Sequence, residues 1–182
     1  MVRKGSLRIW QAIMTALLIG LAPSAASAAT AGSASAYAVE ANYLSKFAAF
    51  VEWPQSAFDS PTAPLTICVS GQDPFGQMLD EKVRGQHIND HPLIVHHGET
   101  VRSGMPCHIL YVGGEASEEA LQAIKHEPVL TVTDRGGAGT GGMIQFTTVG
   151  RRVRFTIDQA AAQEGGITIS SKLLELAVNV SR

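Results

Sequence analysis

Two cysteines and six histidines are the residues of this sequence with the most chemistry to offer. Cys68 and Cys107 are too few for a Cys₄ zinc framework or a disulfide-dense scaffold, but two thiols suffice for one bridge. Each lies in or at the head of a β-rich segment. If those strands are neighbours, their Cα atoms can approach the ~5.5 Å that a disulfide requires. The alternative is two buried thiols packing as small hydrophobes.

Five of the histidines, His87, His91, His96, His97 and His108, crowd one stretch of chain. His87 and His91 flank Asn89 and Asp90, where a loop metal site is conceivable. A catalytic zinc needs three converging ligands and an open position. The 87/91 spacing lies beside Pro92 rather than on a helix, and His96 and His97 on a strand point to opposite faces. The expected state is solvent-facing or locally hydrogen-bonded imidazole, with no metal and no cofactor.

The run Gly136-Gly-Ala-Gly-Thr-Gly-Gly142 looks like a phosphate cradle. A P-loop needs Lys-Ser/Thr and a following helix, whereas a hydrophobic strand follows here, so a flexible turn is expected. Glu115, Glu118 and Glu119 cluster where a helix begins, which is ordinary capping chemistry. There is no Gly-x-Ser-x-Gly elbow, no His-Glu-x-x-His helix and no evident acid/base pair of carboxylates. No catalytic residue is therefore assigned, and an enzyme is the weakest of three functional readings.

The elements that would position these residues fit one domain. The chain has 182 residues, 45% hydrophobic and 16% charged, with a net charge of −2 that argues against a nucleic-acid partner. Residues 1–28 read as a cleaved export signal. Arg3, Lys4 and Arg8 precede an apolar run from Ile9 to Ala22, and Ala26-Ser27-Ala28 fits signal peptidase. The run is shorter than the ~20 apolar residues a spanning helix needs. Cleavage near Ala28 would remove three basic residues and no acidic one, leaving an acidic chain outside the cytoplasm. In that oxidising compartment a disulfide persists.

Residues 29–37 are small and polar and are expected to be a disordered linker, with the domain over 38–182. Tyr43, Leu44, Phe47, Phe50 and Val51 follow helical spacing, so a helix is expected from about Val39 to Trp53, stopped by Pro54. Its aromatic face, Tyr43, Phe47, Phe50 and Trp53, is expected to be core, with a partner groove as the alternative. Strands are expected over 65–69, 93–97, 108–112 and 128–133, with helices opening at Asp73-Pro74 and at Ser117. A hairpin is expected over 143–158, and Ser170-Ser171 should cap a final helix over 172–178. Strand–helix–strand alternation implies parallel pairing, and the hairpin adds antiparallel strands. The expected fold is a single-domain three-layer α/β/α sandwich with a mixed sheet.

Several segments in order carry a resemblance. They are Tyr43-Leu-Ser-Lys-Phe-Ala-Ala-Phe-Val-Glu-Trp-Pro54, Leu65–Gly71 running into Asp73-Pro74-Phe75-Gly76, and Cys107-His-Ile-Leu-Tyr111. After these come Pro128–Asp134, Gly141–Phe146, Arg152–Ile157 and Ile169–Ala177. Together they resemble the YfiR family of periplasmic proteins. The resemblance implies a small α/β sandwich that tends to dimerise and works by protein–protein contact. It implies a periplasmic location and, as partner, a membrane-bound diguanylate cyclase or another sensor protein, contacted at its periplasmic domain. In the best-known system an outer-membrane lipoprotein relieves the repression. By position, Cys68 and Cys107 match family cysteines, which implies the bridge. A second pair found in some members is absent, with Gln145, Thr147 and Arg152 in that region. A non-enzymatic regulator of cyclic-di-GMP synthesis, and so of biofilm behaviour, is the first functional expectation. A periplasmic module binding a small molecule at the carboxyl ends of the parallel strands is the second.

Overall fold

The computed structural model describes residues 26–114, 118–134 and 141–182. Residues 1–25 of the expected export signal and 135–140 of the glycine run lie outside the described residues, as do Glu115 and Ser117. Helix α1 (Ala26–Phe47) leads through a 3₁₀ turn (Ala48–Phe50) into the short strand β1 (Val51–Glu52). A second 3₁₀ turn (Gln55–Ala57) precedes β2 (Leu65–Gly71), α2 (Gln77–Val83), β3 (His87–Ile88) and β4 (His91–His97). Then follow β5 (Ile109–Gly113), α3 (Glu118–Ala123), β6 (Leu130–Thr133), β7 (Ile144–Val149) and β8 (Arg152–Asp158). The chain closes with α4 (Gln159–Glu164), β9 (Thr168–Ile169), α5 (Ser171–Leu176) and β10 (Asn179–Ser181).

Eight strands form one mixed sheet in the order β10-β8-β7-β6-β5-β2-β4-β3, and β1 pairs with β9 apart from it. The central strands are parallel, while the β7–β8 hairpin and the β3–β4 pair are antiparallel. Strand alternation sends Ile67, Val69, Ile109, Tyr111, Leu130, Val132, Ile144, Phe146, Phe155 and Ile157 into one large core. Helices α1 and α2 cover that face with Leu44, Phe47, Leu79 and Val83. Cys68, Leu110 and Val112 point the other way into a smaller core with Met105, Val129, Ile124 and Leu121, the last of these from α3. The fold is thus a single-domain α/β sandwich with unequal outer layers. Over β7 and β8 the thin side carries Gln145, Thr147, Arg152, Arg154 and Thr156, all half-buried or exposed. Among the described residues no helix is long and apolar enough to cross a membrane.

The expected elements meet three corrections. Helix α1 runs through residues 29–37, the segment expected to be disordered. Alanine recurs there at positions 29, 31, 34 and 36, and it is the strongest helix former, which outweighs the loss at Gly32 and the serines. The same helix ends at Phe47, well before Pro54. Val51 is extended because it pairs with Ile169, a contact across the whole chain that local spacing does not reveal. The helix expected at Asp73 begins at Gln77, because Asp73 Oδ1 instead accepts hydrogen bonds from the Phe75 and Gly76 amides at 2.8 and 3.1 Å. Of the expected aromatic face only Phe47 is fully core, while Tyr43, Phe50 and Trp53 are half-buried against it; Tyr43 and Phe47 each meet the Phe155 ring at 5.3 Å, and both lie 6.1 Å from Phe146.

Strands β2 and β5 end side by side, with Gly71 the register partner of Gly113. Gly71 has φ +71°, and a Cβ on it would lie 2.4 Å from the Gly113 carbonyl oxygen. A Cβ on Gly113 would lie 1.9 Å from the Gln72 carbonyl oxygen, backbone that cannot step aside. Gly113→Ala is therefore expected to cost at least about 2 kcal/mol in urea unfolding. Gly150→Ala, at the hairpin tip with φ +64° and open space around it, should cost about 1 kcal/mol.

Candidate functional site

Among the described residues a dense polar and aromatic constellation lies at the amino ends of β2, β4 and β5. His108, just before β5, is buried, and its backbone amide donates to the Thr66 carbonyl at 2.9 Å. The Thr66 amide returns a bond to His108 Nδ1 at 3.1 Å. His108 Nε2 meets the Ala57 carbonyl at 3.0 Å, and the Trp53 indole N–H donates to the His108 carbonyl at 3.2 Å. An amide can only donate and a carbonyl only accept, so the ring is neutral with its proton on Nε2. Phe58 lies stacked between His108, at 4.3 Å, and His91, at 3.9 Å. His91 Nδ1 donates in turn to the Ala63 carbonyl at 2.6 Å.

This knot fixes the 53–64 connection against the sheet and walls a cleft of about 420 Å³. Glu52, Trp53, Phe58, Leu65, Ile88 and His91 line it, and the β3–β4 turn with Asn89 at φ +53° closes one side. The cleft faces the amino ends of the parallel strands. It lies at the end of the sheet opposite to the carboxyl ends, where the small-molecule reading placed a ligand.

Cys68 and Cys107 are joined by a disulfide, with Cα atoms 5.9 Å apart, inside the smaller core. Each is almost wholly buried, so the bridge staples the thin layer to the sheet. The remaining histidines do not converge. His87 is exposed on β3, His96 faces Glu99 at 3.9 Å, and His97 contacts Asp73 and Asp80 at the far end of β4. Among the described residues no group of three or more His, Cys, Asp or Glu could hold a metal ion. Of the glycine run only Gly141 and Gly142 are described, and Gly142 is pressed against the Thr131 carbonyl. The acidic cluster is represented only by the backbone of Glu118 and Glu119, in the first turn of α3.

The Trp53–Phe58–His91–His108 knot escaped the sequence reading. Its signal was only the proximity of Trp53-Pro54 to a phenylalanine four residues on, with both histidines far along the chain. Chemically the knot holds a ring in one tautomer and shapes a cleft.

Two outcomes follow from this geometry. Burial pushes the His108 imidazole below its ordinary value, with the positive field of His91 adding to the effect. Unfolded histidine takes up a proton near pH 6.5 while folded His108 does not, so stability falls as pH drops through that value towards the lower folded pKa. His108→Gln should flatten this decline and cost about 1 kcal/mol at pH 7.5 through the lost hydrogen bonds. Melting curves between pH 7.5 and 5 check both. The Cys68→Ala/Cys107→Ala protein should lose about 2–4 kcal/mol of unfolding free energy in urea, the range for a loop of this size.

No curated protein matches the chain at a significant level. The model of the YfiR/HmsC-like family matches residues 37–178, from the middle of α1 to the threshold of β10. That span takes in both cores, the disulfide and the His108 knot. The chain belongs to the YfiR/HmsC-like family.

Proposed function

We propose that this protein is a non-enzymatic periplasmic regulator that binds the periplasmic sensor domain of an inner-membrane signalling protein and represses cyclic-di-GMP synthesis. The observation that carries the reading is the family match, which spans nearly all of the folded chain. Members of the family regulate rather than catalyse. The N-terminal sequence supports export, since Arg3, Lys4 and Arg8, the apolar run and Ala26-Ser27-Ala28 form a complete signal pattern. A bridged cysteine pair suits an oxidising compartment. The mechanism is differential affinity: the protein binds one conformation of the sensor domain better than the other and thereby holds the cyclase off. A homodimer is the proposed working form, and an outer-membrane lipoprotein the proposed antagonist.

A second reading, a small-molecule-binding module, is favoured by one observation: the cleft beside Trp53, Phe58 and His91 has a volume suited to a small ligand. The two readings separate in the cell. Deleting the gene in its native host should raise cellular cyclic-di-GMP several-fold, restored by the wild-type copy. An unchanged level, measured by mass spectrometry of nucleotide extracts, would overturn the first reading.

A further inference from the structure

His97 closes β4, and its ring lies between two carboxylates from another part of the chain. Nδ1 is 2.7 Å from Asp73 Oδ2, in the connection between β2 and α2. Nε2 is 3.0 Å from Asp80 Oδ2, on α2. Ionised carboxylate oxygens only accept hydrogen bonds. A neutral imidazole has one donor nitrogen, so its other nitrogen would face a carboxylate with a lone pair. Both contacts coexist only when the ring carries two protons. We infer that Asp73, His97 and Asp80 form a proton-dependent latch tying α2 and the β2–α2 connection to the end of β4, closed when His97 is an imidazolium and open when it is neutral.

The latch has a defined load. Asp73 also accepts the Phe75 and Gly76 amides, so it shapes the approach to α2. Phe75 packs edge-on against Tyr111 at 4.6 Å, and Leu79 and Val83 enter the large core. Opening the latch frees the outer side of an element whose inner side stays buried. The outcome is a loosening of α2 and its approach, with the sheet intact.

The charged surroundings agree. Burial disfavours the charged ring, but hydrogen bonds and charge from Asp73 and Asp80 outweigh it and hold His97 above its ordinary value. Burial likewise acts against the Asp73 carboxylate, and the Phe75 and Gly76 amides with His97 bring it below its ordinary value. On the same strand, His96 faces Glu99. On α2, Glu81 and Lys82 are exposed, and β2 presents the uncharged Val69 as the register partner of His97. The stabilisation is fully present below pH 6.5 and is lost as pH rises through the raised folded value. On the acid side it lasts until Asp73 protonates.

A pH titration of the full chain by NMR tests the latch, following the His97 ring proton and the Phe75 and Gly76 amides together. The expected result is a His97 midpoint above 6.5, with both amides changing at the same midpoint. Asp80→Asn should lower the proton affinity of His97 roughly three- to tenfold and carry the amide midpoint with it. His97→Gln should abolish the amide transition while the far-ultraviolet circular dichroism is retained. A wild-type His97 midpoint at or below 6.5 would overturn the inference, as would an amide transition that survives His97→Gln. If His97→Gln does not fold, an Asp80→Asn midpoint equal to wild type overturns it equally.

Discussion

Between the Ile67–Ile109 rung and the Gly71–Gly113 rung, β2 and β5 run side by side with no bulge, and this parallel ladder sets the geometry of both ends of the molecule. At its amino end the ladder is extended by the reciprocal bonds between Thr66 and His108, one through backbone and one through the imidazole. The ring thereby substitutes for a missing strand partner and is fixed in place by the sheet itself. One residue earlier, Cys107 turns to meet Cys68 beneath the same ladder. At the carboxyl end the two glycines let the chains approach to a distance that any side chain would forbid. Knot, disulfide and glycine pair all rest on one register. A slip of a single residue would turn Ile67 and Ile109 out of the large core.

The two outer layers divide the work of burial unequally. The thick side holds the aromatic set of Tyr43, Phe47, Phe146 and Phe155, which locks α1 onto the hairpin. The thin side is narrow enough that a covalent staple replaces apolar area. The same economy appears in the histidines. His108 sits between a donor amide and an acceptor carbonyl and so must be neutral, whereas His97 sits between two acceptors and satisfies both only when charged. Partner type, more than depth of burial, decides each state. The two rings therefore respond to pH in opposite directions, and the fold is best satisfied in the interval between them.

Much of the architecture was legible in the chain. Val153, Phe155 and Ile157 alternate with polar residues, and the hairpin lies where that alternation places it. Ser170 caps α5 by accepting from the Leu173 amide, as its position before a leucine-rich run suggests. What stayed hidden depends on distant partners. Val51 and Trp53 read as helical, but Val51 pairs with Ile169 as strand and Trp53 lies outside any helix, its indole bonded to the His108 carbonyl. The two- and three-residue strands β1, β3, β9 and β10 have too few residues for a period to register. The alanine-rich stretch before Tyr37 misled through its polarity, although its backbone propensity favoured helix. The His108 knot could not be read because its four rings come from residues up to 55 positions apart.

The disulfide also has a mechanical meaning. Cys68 and Cys107 are 39 positions apart, and the chain between them forms α2, β3 and β4, the whole of one sheet edge. That edge belongs to a closed covalent ring whose ends are anchored on adjacent strands. A force applied at the two termini passes from β2 to β5 through the sulfur atoms and bypasses the ring. Roughly 130 Å of contour length is thus withheld from extension while the bond is oxidised. An edge that can neither be pulled out nor wander far after fraying re-forms quickly, because its ends never separate.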